Sequence, residues 1–151
     1  MDIHINSGLG GFVLVSEISA VTPDSITGQA NLPDAGTGLV MEALAQIGAL
    51  HVRYQCRFEK HAFLMRVNRY EWSGPDLGPI SCVLSGRRML DTGSASVYAL
   101  LARSGAKVLG RGEFSFGVID YDQAFKQEEL KDHYQGIFSC LTELKNESGS
   151  G

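Results

Sequence analysis

One segment of this sequence predicts a helix that must be buried on almost all of its sides. From Leu39 to about Arg57, large apolar residues recur at helical spacing, and the opposite side carries small residues rather than polar ones. Between Leu39 and Leu50, Glu42 is the only charged residue. A helix this apolar is stable in water only when other elements cover it, so the rest of the chain has to surround it.

Strand-type sequence lies on both sides of this helix, in segments separated by turn signals. The last segment alternates along its length, with Val108, Gly110 and Phe114 on one predicted face, as expected of a half-buried antiparallel strand. A second, more polar helix is predicted from Asp122 to about Leu144. The predicted strands are Phe12–Val21, Ile26–Leu32, His61–Trp72, Ile80–Leu90, Ser94–Arg103 and Lys107–Val118.

The element order β-β-α-β-β-β-β-α predicts an α+β fold in which an antiparallel sheet packs on one long buried helix. Such a sheet leaves its edges unpaired, and we expect a homodimer or a higher oligomer in which a second subunit extends the sheet and covers one of them. With 151 residues, we expect a single domain over 1–145 and a disordered tail over 146–151.

The composition excludes several classes of protein. The formal net charge of −4 argues against a general nucleic-acid-binding protein. No apolar run approaches the ~20 residues of a membrane span, and no signal peptide is visible, so we expect a cytoplasmic protein with no membrane partner. Cys56, Cys82 and Cys140 are widely spaced and form no CxxC pair, so neither a metal site nor a disulfide framework is predicted.

Several segments resemble the hotdog-fold β-hydroxyacyl-acyl-carrier-protein dehydratases. The most specific is Gly38–Gln46, where Glu-Ala-Leu-Ala-Gln is similar to the string on the central helix of that family. Phe63–Glu71 resembles the strand that follows the helix, Gly74–Leu77 the next turn, and Gly110–Phe116 the last strand. The resemblance implies a hotdog fold, a curved antiparallel sheet wrapped around one central helix, to which this chain adds a C-terminal helix.

The resemblance also implies a function and a site. The family binds acyl thioesters on a phosphopantetheine arm, in a tunnel between two protomers. An acyl carrier protein or coenzyme A would thus be the partner, no further cofactor is expected, and the pathway would be of the fatty-acid or polyketide type. Glu42 would be the catalytic residue, while Gly38, Leu39 and Gln46 would bind substrate.

This sequence departs from the family just before the helix. The dehydratases carry a histidine there, which removes the α-proton of the thioester, whereas Leu32–Gly38 contains none. Dehydration needs both a base and an acid, and Glu42 supplies only one of them. Three functions follow: a dehydratase-like protein, a thioesterase that uses Glu42 alone, or a non-catalytic partner subunit.

Other interpretations of the same residues remain open. We expect burial to raise the pKa of Glu42, although a carboxylate near a helix start is also favoured by the helix dipole. Gln46 could belong to a dimer contact, and Asp34 could replace the missing base or serve only the loop. His51 is expected to be a packed histidine, and His61 could reach a partner protomer. A basic rim for an acidic carrier could be formed by Arg66, Arg69, Arg87, Arg88 and Arg111.

Overall fold

The computed structural model describes residues 4–5, 11–12, 14–120, 133–139 and 141–142. Two short strands, β1 (His4–Ile5) and β2 (Gly11–Phe12), pair with each other. The main sheet follows in the order β3-β4-β6-β7-β8-β5, and every neighbouring pair is antiparallel. Its strands are β3 (Val15–Val21), β4 (Ser25–Leu32), β5 (His61–Trp72), β6 (Ile80–Asp91), β7 (Ala95–Ser104) and β8 (Lys107–Ile119), and helix α1 (Thr37–Gln55) lies between β4 and β5.

Helix α1 packs on one face of this six-stranded sheet, which confirms the predicted hotdog arrangement. Val40, Leu44 and Ile47 are completely buried on the side of α1 that meets the sheet. The facing residues of the sheet are also apolar and buried, and they include Ile26, Leu84, Leu100, Phe114 and Phe116. The apolar pattern of α1 is therefore the pattern of a helix enclosed by a sheet.

The first predicted strand, Phe12–Val21, is wrong as a single element. Phe12 ends β2, which pairs with β1, whereas β3 begins at Val15 and pairs with β4. Between them, the backbone N–H of Leu14 donates a hydrogen bond to the side-chain oxygen of Gln46 on α1, at 2.7 Å. The Leu14 N–H thus pairs with the helix instead of with a strand, at the point where the chain passes from one sheet to the other.

Strand β8 follows the predicted alternation except at its start. Gly110, Phe114 and Phe116 are buried as predicted, but Val108 is 40% exposed and Leu109 is buried. The register between β7 and β8 shifts at Ala102/Arg103, because the strand holds one extra residue there. Such a bulge moves the following side chain to the other face, which reverses the predicted positions of Val108 and Leu109.

A short C-terminal helix, residues 133–139 and 141–142, covers the end of α1. Its Tyr134 ring lies under the Arg53 guanidinium, with 3.8 Å between the guanidinium carbon and the ring centre. Its Phe138 ring stacks on Tyr54 at 5.2 Å. The rest of the predicted Asp122–Leu144 helix and the predicted 146–151 tail fall outside the described residues. None of the described helices combines the length and the apolar character needed to cross a bilayer.

Candidate functional site

Glu42 lies in the second turn of α1 and is exposed in the single chain. Its neighbours Ala43 and Leu44 are completely buried, because the sheet covers their side of the helix. The expectation that Glu42 is buried is therefore wrong for one protomer. The sheet can cover only one side of α1, and Glu42 points away from it. A carboxylate here is accessible to solvent and to a bound substrate.

Gln46 connects Glu42 to the rest of the fold. Its side-chain nitrogen lies 3.5 Å from Oε1 of Glu42, one helical turn away. Its side-chain oxygen accepts the Leu14 N–H, and this contact fixes which end of the amide faces the carboxylate. Gln46 thus contacts both Glu42 and Leu14, which lies 32 positions before Gln46 in the sequence. Because the bond to Leu14 holds Gln46 in place, Gln46 restricts the position of the Glu42 carboxylate.

The start of α1 presents backbone N–H groups in an open environment. Gly36 is the N-cap residue, and its carbonyl accepts the Leu39 and Val40 N–H groups at 3.0 and 3.4 Å. Gly38 is exposed, and a side-chain carbon added there would meet no atom within 4 Å. Leu39 is half-buried beside it. Because the first turn carries no acidic residue, the positive end of the helix dipole is available to a carbonyl oxygen or an anion.

Asp34 has a structural partner. Its carboxylate accepts the Gly78 N–H at 2.9 Å, which ties the loop before α1 to the loop between β5 and β6. The structure therefore supports the loop interpretation of Asp34. This hydrogen bond holds the loop between β5 and β6 next to the start of α1, but it leaves Asp34 occupied and adds no second base to the site.

The described imidazole side chains lie toward the other end of α1. His51 is nine residues beyond Glu42, about 14 Å along the helix axis. It is completely buried and bonded to the Tyr98 hydroxyl and the Thr22 carbonyl, so it is a packed histidine as predicted. Burial lowers its pKa. His61 and His133 both contact Tyr134 in the region of the C-terminal helix.

The predicted basic rim is mostly neutralised. Arg88 contacts the carboxylates of Asp24 and Asp91, each at 3.3 Å. Arg111 contacts Glu71 at 3.3 Å, and Arg69 contacts Glu113 at 3.8 Å. Of the five arginines, Arg66 and Arg87 are exposed and form no ion pair within the described part of the chain.

A groove that the sequence did not predict lies where β5 ends beside the start of β8. Its volume is about 410 Å³. Trp72 forms part of the wall, and the indole nitrogen of Trp72 and the hydroxyl of nearby Tyr70 are buried without a hydrogen-bond partner among the described residues. In the sequence, the aromatic residues at the end of β5 are the only feature that could have indicated this groove. The groove is lined by Glu71, Trp72, Ser73, Val108, Leu109, Gly110 and Arg111.

The chain matches no protein-family model, and no curated protein is similar to it in sequence. Solved structures are similar in fold. A thioesterase from Haemophilus influenzae superposes with a TM-score of 0.60 at 16% identity, over 69% of this chain and 78% of that one. A mutant thioesterase from Pseudomonas aeruginosa gives 0.59 at 11% identity, over 69% and 81%. A dehydratase heterocomplex from Xenorhabdus doucetiae gives 0.61 at 10% identity, over 78% and 89%. At these identities the shared property is the hotdog fold.

Proposed function

We propose that this chain binds an acyl thioester at the N-terminal half of α1 and that Glu42 is its acid–base residue. The observation that carries the proposal is the exposed Glu42 carboxylate on the side of α1 that the sheet leaves uncovered, one turn beyond the open backbone at Gly38. The thioester carbonyl would accept a hydrogen bond from the Gly38 N–H, whereas the Leu39 N–H already donates to the Gly36 carbonyl, which leaves Leu39 to contact substrate through its half-buried side chain. Gln46 would hold Glu42 toward the substrate.

The site is completed by a second hotdog subunit. Strand β5 is at an edge of the sheet, and it carries Leu64 and Met65, which are 42% and 57% exposed. An edge strand with exposed apolar side chains favours pairing with another strand. A subunit paired along β5 would cover the open side of α1, so that the acyl group is enclosed between the two. The substrate would arrive on an acyl carrier protein or on coenzyme A.

The reaction that we propose first is the dehydration of a 3-hydroxyacyl thioester. A base removes the α-proton, the bond between the β-carbon and the hydroxyl breaks, and protonated Glu42 gives its proton to the departing hydroxyl, which leaves as water. Because the described imidazoles lie far along α1 and Asp34 is engaged by Gly78, the base would come from the second subunit. The similarity of fold to a dehydratase heterocomplex supports this arrangement.

Hydrolysis of the thioester is the second candidate. Ionised Glu42 would take a proton from water while the water oxygen attacks the carbonyl carbon. The carbon–sulfur bond then breaks, and the thiolate leaves with that proton. This reaction needs one carboxylate and no imidazole, and among the described residues the open end of α1 offers the Glu42 carboxylate without an imidazole. The similarity of fold to two thioesterases is consistent with it.

The test is incubation of the purified protein with saturated, enoyl and 3-hydroxyacyl thioesters, on carrier protein and on coenzyme A, with products followed by mass spectrometry. Loss or gain of water selects dehydration, and release of free thiol selects hydrolysis. The Glu42→Gln variant should catalyse either reaction about 10²–10⁴-fold more slowly than the wild type. Glu17→Gln, on the opposite edge strand β3, is the matched control and should keep it.

Two further outcomes are informative. If this chain alone binds the thioester but does not turn it over, the proposed binding site is supported. The chain would then be a non-catalytic subunit, or a subunit that needs the base of its partner. Full activity of Glu42→Gln, or the absence of thioester binding, would overturn the proposal.

A further inference from the structure

The part of the β5 edge that can pair with another strand is short. At one end, β5 begins beside the C-terminal helix, where His61 contacts Tyr134. At the other end, the register with β8 shifts between Asn68 and Glu71, and Arg69 adopts a left-handed backbone with φ 55°. A second shift lies between Leu64 and Arg66. Because bulges interrupt strand pairing, a partner strand would pair mainly along Arg66–Asn68, the regular stretch between the two shifts.

Arg66 lies inside this pairing segment and has no counter-charge there. It is exposed and sits opposite Ser115 of β8. The other arginines at this edge differ from it, since Arg69 contacts Glu113 and Arg111 contacts Glu71. Within the part of the chain that the structure describes, Arg66 is therefore a cation of the pairing segment that no carboxylate neutralises.

Self-pairing would bring two copies of this cation together. In an antiparallel pair of identical strands, a residue and its symmetry mate are separated along the strand by twice its distance from the two-fold axis. For an axis anywhere between Arg66 and Asn68, the two Arg66 positions fall within about 13 Å along the strand, at ~3.3 Å per residue. Charges at that separation repel at low ionic strength, where the Debye length is about 30 Å at 0.01 M salt.

We propose that the β5 edge receives a strand with a carboxylate opposite Arg66, so that the subunit paired with this chain is not a second copy of it. The exposed apolar side chains Leu64 and Met65 favour association with any strand, and the isolated charge selects among strands. This inference rests on the β5 pairing that the proposed function invokes, but on none of its chemistry.

The experiment uses an Arg66→Glu copy of the chain as the surrogate partner. Wild type and Arg66→Glu, distinguished by tags of different mass, are mixed, and their dimers are counted by native mass spectrometry in about 0.01 M salt. We expect mixed dimers to exceed the statistical half, with a dissociation constant about threefold to tenfold below that of wild-type self-association. The preference should disappear at about 1 M salt, where the Debye length is about 3 Å.

Arg87→Glu is the matched control, because Arg87 is also exposed and has no ion pair among the described residues, but it lies on β6, inside the sheet. The Arg87→Glu substitution changes the net charge by the same amount as Arg66→Glu. Its mixture with wild type should therefore contain only the statistical half of mixed dimers. A wild-type dimer as tight as the mixed dimer, an equal preference with Arg87→Glu, or no association of any pair would overturn the proposal. Because the readout is mass, a failure of thioester turnover would leave this result unaffected, and the reverse also holds.

Discussion

His51 lies on the same helix as Glu42 but joins three elements of the core. Its Nε2 lies 2.8 Å from the Thr22 carbonyl, and since a carbonyl can only accept, the ring proton is on Nε2. Its Nδ1 therefore accepts from the Tyr98 hydroxyl. Burial lowers the pKa of His51 and raises that of Tyr98, so both are neutral at pH 7. The pair links α1 to β7 and to the turn after β3.

Tyr98→Phe should destabilise the protein because it leaves the buried Nδ1 of His51 without its donor. An unsatisfied buried polar group costs about 1–3 kcal/mol of unfolding free energy. Urea unfolding at pH 8 would measure the loss, with an unchanged dependence on urea concentration. Tyr54→Phe is the control, since Tyr54 is 39% exposed and should change stability by less than about 0.5 kcal/mol. Equal stability of the wild type and Tyr98→Phe would show that the hydroxyl is dispensable.

Single residues were predictable where local spacing decides their position. The four-residue separation of Glu42 and Gln46 places them on one side of the helix, and the structure brings them into contact. The exposure of Glu42 was not predictable, because it depends on which side of α1 the sheet covers. The bond between Gln46 and Leu14 was equally hidden, since it joins residues that only the tertiary fold brings together.

At the level of elements, one glycine sets how closely α1 approaches the sheet. A side-chain carbon at Gly48 would lie 2.6 Å from the ring of Phe116 and 3.1 Å from Leu100. Phe116 is completely buried and cannot move aside without disturbing the core. The small residue that the sequence places on this helix is therefore required by the contact with β8.

Gly48→Ala and Gly136→Ala should have opposite effects. Alanine favours helix over glycine by about 1 kcal/mol, so an unobstructed site gains stability. Gly136, in the C-terminal helix, has no atom within 4 Å of the added carbon, and we expect a gain there. At Gly48 the overpacking should exceed this gain and cost about 1–3 kcal/mol. Thermal unfolding of the two variants gives the comparison, and a stabilised Gly48→Ala would show that the interface has room.

The bounds of the elements were predictable to within a few residues, because hydrophobic periodicity and turn chemistry are local. Helix α1 runs from Thr37 to Gln55 against the predicted Leu39 to about Arg57, and β5 was predicted with its observed ends. The sequence did not reveal the bulge before Gly110 or the change of sheet near Leu14, because both depend on pairing with distant segments.

At the scale of the whole molecule, the two ends of α1 differ in character. The N-terminal end is open, with Gly38 and Glu42 exposed. The C-terminal end is enclosed by His51, by Arg88 with its two carboxylates, and by the C-terminal helix on Arg53. We infer that binding at the open end need not disturb the network at the closed end, whose protonation therefore bears on stability rather than on chemistry.

The buried His51 and His61 side chains predict that the protein loses stability in mild acid. Burial lowers the pKa of His51, and burial together with the Arg53 charge lowers that of His61. In the unfolded chain both return to about 6.5, so the unfolded state binds more protons just below that pH. The stabilisation is complete above about pH 7.5 and declines as the pH falls from about 6.5 toward the folded-state values, by at most ~1.4 kcal/mol per pH unit for each histidine. Urea unfolding between pH 8 and 5 measures this slope, and His51→Gln should reduce it. A stability independent of pH over that range would mean that the buried imidazoles are not held neutral by the fold.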